Sequence, residues 1–244
     1  MKITIIIPTY NEGEIIGSLL DAVETEIKNI PNHDFQILIV DGNSKDQTQK
    51  VVDEKINKYK NIILLVESRK GLGRAYLTGM NYAIDTLKSD AFMEFDGDFQ
   101  HNPKDIKKLV QKLDEGFDYI IGSRYIPGGT IPKEWPWYRK ALSAFGNYII
   151  RFVLKIKVKD ATSGFKLTRI YPFKDKLPLK EGELISLRHA YKIHFLYSMT
   201  ESGAKVTEVP IEFLNRNKGI SKSTFEDIKE SLRVVIALSK HTEP

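Results

Sequence analysis

The 244-residue sequence predicts an α/β protein in which helices cover both faces of a mostly parallel sheet. Two observations predict this class. Short apolar runs alternate with segments of helical periodicity through the first half of the chain, and each apolar run ends in polar residues or glycines. The length suffices for one sizeable hydrophobic core, so we expect a single domain over residues 1–244.

The first half contains five apolar runs of strand length. These runs cover residues 3–8, 35–40, 62–67, 91–95 and 119–122. Helical patterns lie between them, over about residues 14–27, 46–58, 73–87 and 103–115. Strands that alternate with helices in this way favour a parallel, nucleotide-binding sheet.

The second half is less regular. A helix is predicted from about residue 139 to 157, followed by a turn that enters a strand near residues 159–167. The segment 171–186 gives no clear signal. A helix over 187–202 precedes a strand over 205–213, which contains Pro210 and is therefore expected at a sheet edge. A final amphipathic helix is predicted over 224–240.

Composition narrows the function classes. The net charge of +5 is compatible with anionic partners such as nucleotides or phospholipids. The absence of cysteine excludes disulfide scaffolds and thiolate zinc sites. Basic residues are scattered rather than interleaved with aromatic residues, so nucleic acid is not an expected partner. The first apolar run is too short for a signal peptide and no run could cross a bilayer, which predicts a soluble or peripheral protein.

The strongest local signal follows the fourth apolar run. Asp96 and Asp98 flank Gly97 directly after this run, and Gln100 adds a neutral oxygen. Asp-Gly-Asp is also a common turn sequence. Because ligands of open α/β sheets bind at the carboxyl ends of strands, we interpret these three oxygen donors as a site for Mg²⁺ or Mn²⁺ with a diphosphate.

Other strand ends carry weaker signals. Asp41 could accept hydrogen bonds from a ribose or base, or could be a turn or cap residue. Gly71 and Gly73 lack the third glycine of a dinucleotide fingerprint. The basic loop over residues 215–223 could close over phosphates or could be a solvated connector.

The helix after Trp135 has two interpretations. Trp135 and Trp137 stand beside a basic, amphipathic segment, a composition typical of a helix that lies in a membrane surface. An ordinary helix that packs on the core would show the same periodicity.

Several motifs in succession strongly resemble the family 2 inverting glycosyltransferases, in particular their dolichyl-phosphate (polyprenyl-phosphate) mannose synthase branch. The resemblance covers nearly the whole chain. The matching residues are Pro8-Thr9-Tyr10-Asn11-Glu12, Val40-Asp41, Gly71-Leu72-Gly73-x-Ala75-Tyr76, Asp96-Gly97-Asp98-Phe99-Gln100-His101-x-Pro103, Gly122-Ser123-Arg124-Tyr125, Asp160-x-Thr162-Ser163-Gly164-Phe165, Glu208-Val209-Pro210-Ile211 and Arg216-x-x-Gly219-x-Ser221-Lys222.

The resemblance implies a GT-A fold, which is Rossmann-like, and transfer of a sugar from a nucleotide to a lipid phosphate with inversion at the anomeric carbon. Residues 1–125 would bind the nucleotide sugar and metal, and residues 126–244 would bind the acceptor and the membrane. The implied roles are nucleotide-sugar binding by Pro8, Tyr10, Glu12, Asp41, Asp96 and Lys222, metal binding by Asp96, Asp98 and Gln100, catalysis by Asp98, Arg124 and Arg216, and acceptor-phosphate binding by Arg139 and Ser143.

Three positions depart from the family pattern. Gly42 stands where a second carboxylate often follows the second strand, which predicts altered nucleotide contacts. Gly97 replaces a usual alanine. Near Tyr191 the family presents a glutamate, and the alignment places His194 at that position. Either the acceptor side differs, or the alignment slips across the unclear segment 171–186.

The resemblance implies GDP-mannose as donor and dolichyl or polyprenyl phosphate as acceptor. No residue proves guanine, so a UDP-sugar such as UDP-glucose is the alternative donor, and a nucleotide-binding subunit without turnover is the alternative of another class. A lipid acceptor also favours the membrane interpretation of the helix after Trp135. We therefore expect a cytoplasmic protein associated peripherally with the cytoplasmic face of a membrane, with a membrane-anchoring partner subunit as a further option.

Overall fold

A computed structural model describes residues 1–68, 71–180, 182–215 and 225–240 of the chain. Seven strands form one sheet in the order β3-β2-β1-β4-β6-β5-β7. The strands are β1 (Lys2–Thr9), β2 (Asp34–Asp41), β3 (Ile62–Val66), β4 (Ala91–Glu94), β5 (Tyr119–Ser123), β6 (Lys166–Arg169) and β7 (Val206–Pro210). The predicted α/β class is confirmed.

Only β6 runs antiparallel to its neighbours among the strands of the described residues. It lies between β4 and β5 and pairs with both. The remaining pairings are parallel, including β5 with β7. The prediction that the Pro210 strand lies at an edge is confirmed, because β7 ends the sheet and its proline needs no ladder partner on the open side.

Seven helices flank the sheet in the described part of the chain. They are α1 (Ile16–Lys28), α2 (Thr48–Lys58), α3 (Leu72–Asp85), α4 (Ile106–Asp114), α5 (Trp137–Leu154), α6 (Tyr191–Glu201) and α7 (Phe225–Ser239). A 3₁₀ turn over Pro103–Asp105 leads into α4, where Asn102 accepts a hydrogen bond from the Lys104 amide as a cap.

Two hydrophobic clusters form, one on each face of the sheet. In β1 the alternation of side chains sends Ile5 to the cluster that contains Leu19 of α1 and Leu109 of α4. The neighbouring Ile6 joins the opposite cluster, which contains residues of α3, α5, α6 and α7. Both faces are therefore covered, and the carboxyl ends of the parallel strands form the edge at which loops can bind ligands.

The start of α6 differs from the prediction. The sequence predicts a helix from residue 187, but α6 begins at Tyr191. The Leu187 carbonyl instead accepts a hydrogen bond of 3.2 Å from the Arg74 amide in the first turn of α3. A Cβ atom at Gly71 would lie 2.5 Å from that carbonyl oxygen, and Gly71 has a φ of +103°. Gly71 and Gly73 thus leave room for the backbone at Leu187 to pack against the start of α3, which is a different role from dinucleotide binding.

Candidate functional site

The candidate site lies at the carboxyl ends of β1, β2, β4 and β5, beside the segment that enters β6. Asp96 is at its centre. The Asp96 carboxylate accepts a hydrogen bond of 2.8 Å from the Tyr76 hydroxyl, and His101 Nε2 lies 3.3 Å from its other oxygen. Lys192 Nζ lies 3.5 Å from the same oxygen as His101. Three different elements therefore converge on one carboxylate.

The charge of this cluster is set by burial and by Lys192. Burial raises the pKa of Asp96, but the opposing effects of the Lys192 charge and of the His101 and Tyr76 hydrogen bonds bring this pKa well below its usual range. Burial and the Asp96 charge raise the pKa of Tyr76 well above its ordinary value. Asp96 is therefore an anion, and Tyr76 remains a protonated donor to it.

Gly164 has no side chain, which allows Asp96 and Lys192 to approach its backbone closely. A Cβ atom at this position would lie 2.3 Å from Asp96 Oδ2 and 2.6 Å from Lys192 Nζ. Gly97 meets a similar restriction, because a Cβ atom there would lie 2.8 Å from the Pro8 carbonyl oxygen. The glycine that departs from the family pattern is thus explained by the close approach of β1.

Asp98 and Gln100 supply oxygens suited to a hard divalent cation. Asp98 is buried and accepts a hydrogen bond of 3.1 Å from the Gln100 amide. The side-chain nitrogen of Gln100 donates to the Leu214 carbonyl at 3.3 Å, so its side-chain oxygen is the atom that could bind a metal. A buried carboxylate beside an amide oxygen fits Mg²⁺ or Mn²⁺. Within the described ranges, no three His, Asp or Glu side chains form a ready metal site.

Lys192 is a candidate functional residue that the sequence analysis missed. It is buried on α6, and its backbone carbonyl accepts a hydrogen bond of 3.2 Å from Lys166 Nζ. Lys166 is itself fully buried beneath the site, where burial, opposed by Glu94, lowers its pKa to about 8. Glu94 in turn accepts a hydrogen bond from the Tyr191 hydroxyl. A buried polar network thus fixes the first turn of α6, which presents Lys192 to Asp96.

The predicted nucleotide residues lie at the ends of β1 and β2. Pro8 is a buried residue of β1 that pairs with Val40, and Tyr10 and Glu12 follow the strand, where the Glu12 amide donates 2.9 Å to Thr48 Oγ1. Asp41 is fully buried. Its carboxylate accepts hydrogen bonds from the Thr9 and Ser44 hydroxyls, the Ser44 amide and the Gln49 side chain. Asp41 therefore makes the contacts of a turn residue, which is one of its two interpretations. Its role in nucleotide binding stays a prediction.

Arg124 forms a buried ion pair with Asp160. Its Nε and one terminal nitrogen each lie 2.7 Å from an Asp160 oxygen, and the same terminal nitrogen donates to Thr162 Oγ1 at 2.9 Å. Burial alone would lower the pKa of Arg124, but the Asp160 charge raises it above its ordinary value. Arg124 is therefore a permanently charged group, held in one orientation at the end of β5.

Helix α5 carries the predicted acceptor-phosphate residues. The guanidinium carbon of Arg139 lies 3.9 Å from the centroid of the Trp135 ring. Ser143 Oγ lies 2.6 Å from the hydroxyl of Tyr125, the residue that follows Arg124 in the chain. The structure thus places Ser143 next to the Arg124 loop, and both acceptor roles stay predictions.

The sequence also predicts roles for Arg216, Lys222 and His194. Arg216 and Lys222 fall outside the described residues, as does most of the basic loop. His194 does not join the cluster around Asp96: its Nδ1 accepts a hydrogen bond of 3.3 Å from the Ile185 amide, and the residue lines a cavity of about 440 Å³ with Lys176 and Glu201. The residue of α6 that reaches the site is Lys192.

Large apolar side chains of α5 are exposed. Trp137 is 79% exposed and Phe152 is 74% exposed. We call this group the apolar face of α5, and it comprises Trp137, Tyr138, Leu142, Phe145, Tyr148 and Phe152. Helix α7, which contacts α5, exposes Ile228, Leu232 and Ile236 at intervals of four residues. None of the helices in the described ranges is long and apolar enough to span a bilayer.

Comparison with known proteins identifies relatives of the whole chain. Residues 4–176 match the family described as Glycosyl transferase family 2. The chain is 33% identical over 230 residues to the polyprenol monophosphomannose synthase of Mycolicibacterium smegmatis, covering 93% of this chain and 83% of that protein. It is 34% identical over 242 residues to the dolichol-phosphate mannosyltransferase of Pyrococcus furiosus, covering 98% of this chain and 64% of that longer protein.

A third relative has a similar match. The undecaprenyl-phosphate mannosyltransferase of Micrococcus luteus is 31% identical over 228 residues, which cover 91% of this chain and 87% of that protein.

Solved structures share the fold at low sequence identity. Mannosyl-3-phosphoglycerate synthase from Rubrobacter xylanophilus superimposes with a TM-score of 0.68 at 14% identity, covering 99% of this chain and 74% of that one. Glucosyl-3-phosphoglycerate synthase from Mycobacterium tuberculosis, in complex with Mn²⁺, UDP-glucose and phosphoglyceric acid, gives 0.65 at 14% identity and covers 98% and 80%. The chain therefore belongs to glycosyl transferase family 2 and is a glycosyltransferase with the GT-A fold.

Proposed function

We propose that this glycosyltransferase moves mannose from GDP-mannose to a dolichyl or polyprenyl phosphate at a membrane surface, with Mg²⁺ or Mn²⁺ bound by Asp96, Asp98 and Gln100. One structural observation carries the proposal. Helix α5 bears Arg139 and Ser143, predicted to bind the acceptor phosphate, and also the exposed apolar face of α5. An acceptor with a phosphate head and an isoprenyl chain needs these two chemistries side by side. The three relatives are named as mannosyltransferases or mannose synthases of lipid phosphates, which supports the same acceptor class and sugar.

The reaction needs no strong general base. A phosphate monoester is mostly dianionic near neutral pH, because its second pKa is about 6. A phosphate oxygen would attack the anomeric carbon of mannose from the face opposite the leaving group. The new carbon–oxygen bond forms as the bond to the diphosphate breaks, and the electron pair of the broken bond leaves with GDP. Attack from the opposite face inverts the anomeric configuration.

The harder step is stabilisation of the departing diphosphate. A bound divalent cation would neutralise charge on the diphosphate oxygens. Arg124 is held rigidly by Asp160 and would donate to phosphate oxygens without first reorganising. Asp96 would be held in position in the donor site by its contacts with Tyr76 and Lys192. Arg216 and Lys222 are proposed to complete the phosphate contacts from the basic loop.

The nucleotide is tested by ligand-induced stabilisation. We expect GDP with Mn²⁺ to raise the melting temperature of the protein by about 5 °C at concentrations well above its dissociation constant. UDP with Mn²⁺ should give a much smaller rise. A larger rise with UDP would replace GDP-mannose with a UDP-sugar and leave the fold and the metal site unchanged. A second result in favour of UDP would be transfer from UDP-glucose into lipid.

The apolar face of α5 is proposed as the surface that contacts the bilayer. Its tryptophan, tyrosines and phenylalanines are the side chains preferred at the membrane interface, and exposed Lys155 and Lys157 follow the helix. A soluble protein rarely exposes so many large apolar residues in one stripe without a partner. We propose peripheral association with the cytoplasmic face of a membrane, where a membrane-anchoring partner subunit could add to the affinity.

Flotation with liposomes tests this surface. The wild-type protein should float with vesicles of phosphatidylcholine and phosphatidylglycerol, and the double substitution Phe145→Ser with Phe152→Ser should lower the bound fraction about tenfold, because two aromatic side chains no longer enter the interface. Val66→Ser removes an exposed apolar residue from the edge strand β3 and serves as the matched control. Equal flotation of all three proteins, or no flotation of the wild type with either neutral or anionic vesicles, would contradict the assignment.

A further inference from the structure

Phe213 lies where the metal side and the acceptor side of the site meet. Its ring centroid is 5.2 Å from the centroid of the His101 ring and 5.9 Å from that of Trp135, both in edge-to-face geometry. The guanidinium carbon of Arg124 lies 5.2 Å from the same centroid. One half-buried aromatic side chain therefore contacts residues from two loops, the one after β4 and the one between β5 and α5.

Each contact of Phe213 leads to a residue with a predicted role. His101 lies 3.3 Å from the Asp96 carboxylate. Trp135 supports the guanidinium of Arg139 at 3.9 Å. Arg124 is contacted directly, is also bound to Asp160 and Thr162, and lies 5.4 Å from the centroid of the Tyr125 ring. The ring of Phe213 thus connects one predicted metal and nucleotide residue with two predicted phosphate-binding arginines.

The backbone fixes the position of this ring. Phe213 pairs with His101 in an isolated antiparallel bridge, and the Leu214 amide donates 2.8 Å to the Gln100 carbonyl. On the other side the Phe213 amide donates 3.3 Å to the Thr130 carbonyl. The segment after β7 is therefore tied both to the loop of Asp98 and Gln100 and to the loop that follows Arg124.

We propose that Phe213 is a positioning residue for the transfer reaction. Its aromatic ring holds Arg124, the Trp135–Arg139 pair and the His101–Asp96 pair at fixed separations, so that groups contacting the donor and the acceptor are arranged together. Aromatic character matters because the ring face attracts the Arg124 cation and the ring edges pack against two other rings, which an aliphatic side chain of similar size cannot reproduce. The inference rests on the proposed function, because it assigns those side chains to the two substrates.

The test compares Phe213→Leu with Phe213→Tyr. Turnover is measured with GDP-mannose, Mn²⁺ and farnesyl phosphate, a short soluble acceptor. Phe213→Leu should lower kcat about tenfold, because a buried cation–π contact and two ring contacts are lost together. Phe213→Tyr keeps the ring and should stay within about twofold of wild type. Phe117→Leu is the matched control, because Phe117 also lies near a cation, Lys112, but stands two residues before β5, at the opposite end of that strand from Arg124.

Tryptophan emission gives a readout that does not depend on turnover. The chain has two tryptophans, and Trp137→Phe leaves Trp135 as the reporter. In this background, farnesyl phosphate bound by Arg139 should change the Trp135 emission, because the two side chains are in contact. Phe213→Leu should shift the Trp135 emission and abolish this response, whereas Phe213→Tyr and Phe117→Leu should keep the original emission and the response.

The outcomes separate this inference from the proposed function. A wild-type protein that transfers no mannose would reject the proposed function, and the Trp135 response to farnesyl phosphate would then decide the role of Phe213. An active wild type with full kcat in Phe213→Leu, or a Phe213→Tyr variant as slow as Phe213→Leu, would overturn the positioning role. Equal loss of melting temperature and activity in Phe213→Leu and Phe117→Leu would reduce Phe213 to a packing residue and reject the proposal.

Discussion

Replacement of Asp98 by asparagine should lower turnover by about a thousandfold or more while the protein stays folded. Asparagine keeps the size of the side chain and can still accept the hydrogen bond from the Gln100 amide, so the loop keeps its shape. It removes the negative charge that is proposed to hold the cation. The measurement is the initial rate of mannose transfer, with the melting temperature recorded for both proteins.

A metal-binding readout makes this prediction independent of catalysis. Wild-type protein should bind Mn²⁺ in the presence of GDP, as followed by the loss of the free Mn²⁺ paramagnetic resonance signal, and Asp98→Asn should bind it at least tenfold more weakly. Asp53→Asn removes an exposed carboxylate from α2 and should behave as wild type. A turnover close to wild type in Asp98→Asn would remove Asp98 from the metal site.

Replacement of Asp160 by alanine should lower the free energy of unfolding by about 3–5 kcal/mol, because it leaves the buried Arg124 cation without its partner. The Asp160 side chain is fully buried and that of Arg124 is only 10% exposed. Turnover should also fall, since Arg124 would no longer be held in its orientation. Urea unfolding and transfer rates measure the two effects separately.

A double substitution separates stability from catalysis. Arg124→Met with Asp160→Leu replaces both charges with apolar groups and should recover much of the lost stability, because no buried charge remains unpaired. The double variant should nevertheless stay inactive, since it lacks the cation proposed to contact the diphosphate. Recovery of turnover along with stability would show that Arg124 has only a structural role.

The acid dependence of stability follows from the same pair. Burial raises the pKa of Asp160, but the Arg124 charge and hydrogen bonds lower it below its ordinary value. The unfolded chain therefore binds the proton more readily than the folded protein. The stability that this pair provides is present above the unfolded pKa of about 4 and is lost as the pH falls through the lower folded pKa.

The parallel half of the fold was predictable because its information is local. The apolar runs of β1, β2, β4 and β5 are short and end in turn residues, and helical periodicity fills the intervals. The sequence predicts a strand that begins near residue 167, but the insertion of β6 between β4 and β5 was not predictable, since the four residues Lys-Leu-Thr-Arg carry no information about which strands they pair with. Its partners are set by tertiary contacts.

The candidate site was predictable only where motifs mark it. Asp96, Asp98 and Arg124 stand in recognisable motifs at strand ends, and the structure brings Asp96 and Asp98 together with the carboxyl end of β1. Lys192 carries no such signal, because the sequence cannot distinguish a buried lysine from the many exposed ones. Phe213 likewise resembles any core aromatic until its neighbours from two loops are known.

The alignment near α6 shows the same limit. The alignment sets His194 at the position of a family glutamate, across a segment without a clear pattern. The structure shows that the segment before α6 is used to pack against Gly71 and Gly73, and that His194 faces another cavity. The division into a nucleotide half and an acceptor half stays a prediction, as do the roles of Arg216 and Lys222.

The most direct test of the proposed function is transfer of radiolabelled mannose from GDP-mannose into solvent-extractable lipid by the purified protein, with dolichyl phosphate and Mg²⁺ or Mn²⁺. We predict labelled lipid that requires the acceptor, disappears when EDTA removes the metal and is absent with Asp98→Asn. Label that appears only when a UDP-sugar replaces GDP-mannose would contradict the proposed donor. Label that persists in EDTA, or no label with any donor, would contradict the metal-dependent transfer itself.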